Sequence, residues 1–430
     1  MKRRLAALQP TTILAIGFAL FIIYAFPGYM SSDSALQLAE GRAWRFSNHH
    51  PPIMAVEWGL FDRIISGPAP MLVVQGTMFL VGLYHLLRRA MSPRAAAWLA
   101  IVLLLYPPIL TTMAVIWKDS QMAAYLVAAC AALTSPRRRV RLAGIALATI
   151  AAAMRYNGFA AVVPIVVVLF EWRPGARWFV RYGLALAVAV ACAWGALRVD
   201  RWLVTDDDWI FPGMGDIDGV LAFEPVDRSD AELRELLRGT PLRVTDHIHA
   251  HAREIYNSRN TRVASSGDQR LFDPPADEAQ RDAVMRAWRE MITSDWRAYL
   301  AYRADVFGEV IGWSRTPWSM AYHQFLEWPE DRDPTEHDAA ASPIQRAVGD
   351  WLERHAHRRW FRPHFYLILA VALLVVCCRD RTSLALLASG IGYELSYFPS
   401  AGTPDFRYSH WLVVTTCIAT VLLFVRRLAR

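Results

Sequence analysis

Eight long apolar runs punctuate this chain, and they constrain it more than any other feature: Thr11–Tyr29, Ala69–Leu87, Ala95–Leu110, Gln121–Leu133, Trp178–Leu197, His364–Cys378, Leu384–Phe398 and Trp411–Val425. A stretch of roughly 20 apolar residues is what a helix needs to cross a hydrocarbon core of about 30 Å. With 54% hydrophobic residues, many of them held in such runs, a soluble domain is a poor fit. A weaker pair, Leu142–Met154 and Gly158–Phe170, flanks Arg155-Tyr156-Asn157 and reads either as two thin spans or as one interrupted, re-entrant helix pair. The expected fold class is therefore an all-α polytopic membrane protein of about 10 transmembrane helices with a mostly helical extracytoplasmic segment.

Charge sets the expected topology. The net charge of +7 rests almost wholly on arginine, since Lys2 and Lys118 are the only lysines. If the N-terminus is inside and each run crosses once, eighteen basic residues fall on the inner loops, Arg88, Arg89 and Arg137 to Arg139 among them, and six on the short outer ones. This is the positive-inside asymmetry, and it explains the basic balance better than nucleic-acid binding does. Both termini are then cytoplasmic, and the recognisable polar motifs are periplasmic. The expected organisation is an N-terminal transmembrane module, 1–198, of about 7 spans with its first outer loop at 30–68. An extracytoplasmic segment, 199–363, follows, and then a C-terminal module, 364–430, of about 3 spans. The start Met1-Lys2-Arg3-Arg4 reads as the flank of an uncleaved first span, because Phe26 to Met30 makes a poor cleavage site.

The long segment shows helical signals: Ser229-Asp230-Ala231-Glu232 has capping-box spacing, Arg281–Thr293 has a helical apolar period, and Asp295–Trp313 is rich in aromatics. Asp331–Asp338 is a polar break. The acidic stretches Asp206-Asp207-Asp208 and Asp216-Ile217-Asp218 match no EF-hand spacing and read as solvated loops, and His247, His249 and His251 read as an exposed helix start or loop. The five cysteines show no metal-type spacing, and no P-loop or Gly-x-Ser-x-Gly elbow occurs.

Four short motifs fall on the outer face. Asp33 follows the first span within Ser31-Ser32-Asp33-Ser34. It suits a general base toward a hydroxyl and equally suits a helix N-cap. Later in that loop come His49 and His50 before Pro51-Pro52. The second motif is Trp117-Lys118-Asp119-Ser120, where Lys118 offers an ammonium charge suited to a phosphate oxygen or serves as an interfacial anchor. The third is Arg155-Tyr156-Asn157-Gly158, at the break between the two weak runs. The fourth is Asp405-Phe406-Arg407-Tyr408-Ser409-His410, between the last two runs. Each is weak alone. On one face, cations and carboxylates beside apolar spans suit a lipid-linked phosphate substrate.

In these residues the chain resembles the polytopic glycosyltransferases of the GT-C fold, in particular bacterial members related to the dolichyl-phosphate-mannose-type and arabinosyl-type enzymes. The resemblance rests on Asp33 after the first span, His50-Pro51-Pro52, Lys118-Asp119, Arg155 to Gly158, and Asp405 to Tyr408. It covers the transmembrane part and leaves the segment from Val199 to Pro363 outside. It implies a transferase that moves a sugar from a polyprenyl-phosphate donor to a cell-envelope glycan or lipid acceptor at the periplasmic face of a bacterial inner membrane. Asp33 would be the base, and Lys118, Arg155 and Arg407 would hold the donor phosphate. His49, His50, Asp119, Asn157, Asp405, Tyr408 and His410 are further site candidates. The chain has Asp33-Ser34 where many members have Asp-Glu or Glu-x-Asp, so a second acid and a divalent metal are compatible with the site but not implied. Expected partners are the donor, the acceptor and the lipid bilayer, with no nucleic acid. The competing expectation is a lipid or glycolipid flippase or transporter, which polar span ends and a broken helix pair also fit.

Overall fold

The computed structural model describes residues 8–170, 175–206, 213–226, 228–314, 321–330 and 341–428. Lys2, Arg3, Arg4, Arg173, Asp207, Asp208, Arg430 and the polar break Asp331–Asp338 lie outside the described residues. Among those described the chain is all-helical, with isolated β-bridges but no strands. Two compact units emerge. The first comprises Met1–Asp208, Met320–Leu395 and Phe406–Arg430; the second comprises Trp209–Ser319 and Ser396–Asp405. The second unit is thus smaller than the expected 199–363 segment, and a short C-terminal stretch groups with it.

In the first unit, in chain order, the helices are α1 (Pro10–Ala25), α2 (Ser32–Ala43), α3 (Ile53–Asp62), α4 (Ala69–Leu87), α5 (Pro93–Leu104), α6 (Pro107–Met113), α7 (Lys118–Leu133), α8 (Arg138–Ala153), α9 (Phe159–Leu169) and α10 (Trp178–Leu203). Every apolar run of the sequence is helical. Prolines open α1, α4, α5 and α6 at N1 or N2, where the missing N–H would be unpaired in any case. The weak pair resolves into two separate helices, α8 and α9, with Arg155 in the turn between them. Helix α7 is buried along most of its length and packs against α4, α8, α9 and the last helix of the chain.

The expected ten spans are not met by length and composition. Among the described residues three stretches are long and apolar enough to cross a membrane: Ala69–Leu87, Trp178–Leu203 and Phe406–Leu428. A fourth results if α5 and α6, bent by 72° at their break, count as one. Helices Pro10–Ala25, Phe159–Leu169 and Pro363–Val376 are apolar but shorter. At 1.5 Å per residue they rise only about 17–24 Å, less than a hydrocarbon core. The run Ala95–Leu110 is broken because Pro107 and Pro108 cannot continue α5. The outward surfaces are nonetheless apolar: on α10, Trp178, Leu186, Val190, Trp194 and Trp202 are all exposed. Contiguous apolar surface of that extent is costly in water and natural in a bilayer. These features fit a multi-pass helical membrane protein.

Two helices hold the first polar loop in place. Gly41 of α2 and Gly59 of α3 let the two backbones touch; a methyl on Gly41 would stand 2.5 Å from the Ala55 carbonyl oxygen and 2.9 Å from the Gly59 nitrogen. The Arg42–Asp62 ion pair, at 2.9 Å, closes the same seam.

The second unit gathers α11 (Gly213–Phe223), α12 (Asp230–Leu236), α13 (Ile248–Ile255), α14 (Glu278–Ser294) and α15 (Trp296–Val310) around a core of Ile217, Val220, Leu233, Ile248, Phe272 and Val284. The capping box forms: Ser229 Oγ accepts from the Glu232 backbone, and the Glu232 carboxylate accepts from the Ser229 N–H at 2.8 Å. Asp216 and Asp218 do not lie in a solvated loop. Both sit in α11 and are buried. Asp216 pairs with Arg303 and accepts from Trp288 Nε1 at 2.8 Å. His249 is likewise buried against Glu224 at 3.0 Å, while His251 bonds the Gln269 carbonyl and His247 stands at the N-cap position of α13 without a side-chain capping bond.

The rest of the first unit comprises α16 (Pro343–His355), α17 (Pro363–Val376), α18 (Arg381–Ser400, whose last residues group with the second unit) and α19 (His410–Leu428).

Candidate functional site

The site is built from backbone first. Tyr29 and Met30, leaving α1, run parallel to Val115 and to Leu326 as isolated bridges. Tyr29 donates to Ala114 O at 3.0 Å and Ile116 donates to Tyr29 O at 2.9 Å. Gln75 of α4 braces this segment, its amide donating to Met113 O and Val115 O at 2.7 and 3.1 Å. As a result Ser31–Ser34 lie beside Ile116–Lys118: Trp117 Nε1 donates to Ser31 Oγ at 2.7 Å, and Ser34 Oγ donates to Ile116 O at 2.8 Å. Ser31 and Ser34 form the capping box of α2, which leaves Asp33 in its first turn. Capping therefore belongs to the serines, and the Asp33 carboxylate is free to face elsewhere.

It faces cations. Arg407 lies 2.7 Å and Lys118 3.4 Å from Asp33 Oδ2, and His50 Nε2 lies 3.5 Å from Oδ1. Lys118 Nζ also donates to His50 Nδ1 at 2.8 Å. An ammonium can only donate, so Nδ1 accepts and the imidazole proton sits on Nε2, aimed at Asp33. Burial acts to raise the Asp33 pKa, but the His50 hydrogen bond and the Arg407 and Lys118 charges outweigh it and hold the carboxyl well below the usual carboxylate range. Burial, with Lys118 nearby, pulls His50 below its ordinary value, against the opposing pull of Asp33.

A second pair stands alongside. Arg155 donates to Asp119 Oδ2 at 3.0 Å and lies over the Tyr408 ring at 4.9 Å, and Arg407 stacks over Trp117 at 4.8 Å. Asp119 is fully buried, so this ion pair holds the turn between α8 and α9 against the start of α7. Gly158 shapes that turn, for a side-chain carbon there would come within 2.7 Å of Ala152 O and 2.9 Å of Arg155 O. Arg155 thus has a buried carboxylate partner and is not simply presented to solvent as a phosphate ligand. Tyr156 donates to Asn48 O at 2.8 Å and ties the same turn to the His49-His50 loop.

The structure therefore brings Asp33, His50, Lys118, Asp119, Arg155, Arg407 and Tyr408 into one neighbourhood. The remaining candidates are placed as follows. His49 is exposed, beside Glu40 rather than Asp33. Asp405 is half-buried and falls in the second unit. His410 is buried, and neither of its ring nitrogens has a partner among the described residues. Asn157 lies in the Arg155 turn. Two residues, His323 and Glu57, escape a sequence reading, and the role of Ser31 within its motif was not legible. His323 donates to Met30 O at 2.8 Å and packs on Trp117. Glu57 of α3 is pushed up to about 7 by burial, while the Tyr125 hydroxyl bonds it at 2.8 Å. Ser31 anchors Trp117. Nothing in their local sequence separates them from ordinary loop or helix residues. Among the described residues no group of three or more His, Cys, Asp or Glu side chains is placed to hold a metal ion.

Chemically, the cluster is a carboxylate faced by the Arg407 guanidinium, by the Lys118 amine, which burial pulls down to about 7, and by the His50 imidazole. It can bind an anion in exchange for the carboxylate, and it can accept a proton once that exchange has taken place. Scans against protein-family models, curated proteins and solved structures find no match to this chain.

Proposed function

We propose that this chain is a GT-C-type glycosyltransferase that moves a sugar from a polyprenyl-phosphate donor to a glycan or lipid acceptor of the cell envelope, on the periplasmic side of a bacterial inner membrane. In this reading α5 and α6 make one bent span, α1, α7, α8, α9, α17 and α18 cross alongside the three longest apolar helices to give about ten spans, and both termini are cytoplasmic. The observation that carries it is the convergence of Lys118 and Arg407 on one oxygen of Asp33.

In the unliganded site Asp33 is too acidic to take a proton from a hydroxyl. A donor phosphate is a better ligand for Lys118 and Arg407 than one carboxylate oxygen is, since it offers several charged oxygens to both cations. Its arrival withdraws those charges from Asp33, and the carboxyl pKa rises toward the range in which a general base operates. Donor binding therefore arms the base. The acceptor hydroxyl then attacks the anomeric carbon while its proton passes to Asp33. The carbon–oxygen bond to phosphate breaks, and its electron pair leaves with polyprenyl phosphate, inverting the anomeric centre. Lys118 and Arg407 stabilise the charge that develops on the leaving oxygens. His50, bridging Lys118 and Asp33, positions both.

The test uses purified protein in lipid, radiolabelled polyprenyl-phosphate sugars and an envelope extract as acceptor. Wild type should release polyprenyl phosphate and label a product. Asp33→Asn should bind donor and turn it over at least about a hundredfold more slowly, the scale of a lost general base. Normal turnover by Asp33→Asn would end the base assignment. Movement of intact lipid across the bilayer with no donor consumed would replace the transferase with a flippase.

A further inference from the structure

A cleft of about 790 Å³ opens between α4, α7 and α8, at the far end of α7 from Lys118. The sixteen residues of α7 put roughly 24 Å between the two places. The cleft has two chemically distinct parts. Its wall is aliphatic, formed by Met78, Val81, Ala128 and Val140, and Val81 and Val140 are exposed. Its mouth is basic, formed by Arg88, Arg89 and Arg137 with His85, and no carboxylate lines it.

The three guanidiniums are not equivalent. Arg89 folds back to donate to Thr134 O and Ala131 O, the last carbonyls of α7, so it joins α4 to α7 and offsets the negative end of that helix. Arg88 lies over the Tyr84 ring at 5.6 Å, and Arg137 is the N-cap of α8. Neither forms an ion pair among the described residues. The positive end of α8 opens at the same mouth. Three like charges beside one helix N-terminus, with no acid to balance them, repel one another. An anion placed there would relieve that repulsion. An exposed apolar wall directly beneath would take a hydrocarbon chain attached to it. The volume lies within the range of small-molecule sites.

We propose that this cleft binds a phosphate-bearing anionic lipid, with its headgroup on Arg88, Arg89 and Arg137 and its chain along Met78, Val81 and Val140. The site is independent of the Asp33 cluster. It would hold a bilayer lipid at the opposite end of the α4–α7–α8 group and fix those helices to one leaflet. Basic residues gathered at a helix end without a cleft would attract anionic lipids only diffusely; a slot with a charged mouth selects one molecule at a time.

Native mass spectrometry of the full chain in detergent, with added phosphatidylglycerol or phosphatidylcholine, tests this. Wild type should retain phosphatidylglycerol at about one molecule per chain, in preference to phosphatidylcholine. The double variant Arg88→Gln/Arg137→Gln should weaken that binding about tenfold to thirtyfold; Arg89 is left intact because it bonds α7. The Arg→Lys double variant, which keeps the charges, should bind within a few fold of wild type and so separates lost binding from lost folding. Val81→Trp, which fills the slot, should weaken binding with the charges intact. Equal retention of the two lipids by wild type, or unchanged binding by the Gln variant, overturns the proposal. Displacement of the lipid by millimolar inorganic phosphate would make this a free-anion site and overturn the lipid assignment.

Discussion

At the residue scale, the decisive arrangement is His50 between Lys118 and Asp33. With Lys118 donating to Nδ1, the imidazole is neutral and carries its proton on Nε2; protonating Nδ1 would break that bond and place a further positive charge near Arg407. Its folded pKa is depressed, first by burial and then by Lys118. The folded state therefore binds fewer protons than the unfolded chain once pH drops below the ordinary histidine value of about 6.5, and stability must fall there. Asp33 is also depressed, but its contribution is full above about pH 4 and is lost only in stronger acid. Between pH 7 and pH 5 His50 carries a share of that loss. Thermal melts of wild type and His50→Gln over that interval should show a shallower decline for the variant, and parallel declines would mean His50 is free to protonate. These pairings were only half legible in the sequence. The alternation of basic loops could place the four motifs on one face, but Lys118 and Asp33 are separated by 85 residues and Lys118 and His50 by 68. Which cation meets which carboxylate is decided by the Tyr29–Val115 bridge and by the Gly158 turn. That is why the Arg155–Asp119 contact could not be read from motif order.

At the scale of elements, the position of Asp33 depends on a backbone-to-backbone seam two helical turns away. Gly41 and Gly59 pack α2 against α3 with no room for a side chain. Gly41→Ala should force the helices apart, cost about 1–3 kcal/mol, and move the first turn of α2 relative to Lys118. A lower melting temperature together with loss of donor turnover is the expected pair of readings. A full-activity variant with wild-type melting would show that α2 can shift without disturbing the cluster. Helix existence was plain from the apolar runs, because 3.6-residue packing and lipid exposure both favour continuous apolar segments. Helix continuity was not. The Pro107–Pro108 pair breaks one expected span into α5 and α6. The acidic stretch around Ile217 reads in sequence as a solvated loop because its partners, Trp288, Tyr302 and Arg303, come from 72 to 87 residues away. A buried aspartate is tolerated in α11 only because those distant donors reach Asp216. Asp218, whose Oδ1 has no hydrogen-bond partner among the described residues, is pushed up to about 8 by burial.

At the scale of the whole molecule, the two charged clusters make a claim about sidedness that either stands or falls together. The Asp33 cluster lies at one end of α7 and the Arg88–Arg89–Arg137 mouth at the other, and α4, one of the three stretches long enough to span among the described residues, runs alongside. If α4 crosses the bilayer, its two flanks face different compartments, and the arginine asymmetry puts the Arg88 flank in the cytoplasm. Ile64 and Ser92 are both exposed and bracket α4. In a chain whose five cysteines are replaced by serine or alanine, Ile64→Cys should react with a membrane-impermeant maleimide in spheroplasts. Ser92→Cys should react only after the membrane is permeabilised. The reverse pattern would place the Asp33 cluster in the cytoplasm. A polyprenyl-phosphate donor would then have to be used on the face where nucleotide sugars are available, which removes the reason for a lipid-linked donor and with it the transferase proposed here. Labelling of both positions from outside would mean that α4 does not cross, and the shorter helices beside it would lose their claim to span as well. The expected split supports the view that this chain places its base and its cations at one membrane face while anchoring the other end of the same helices to lipid.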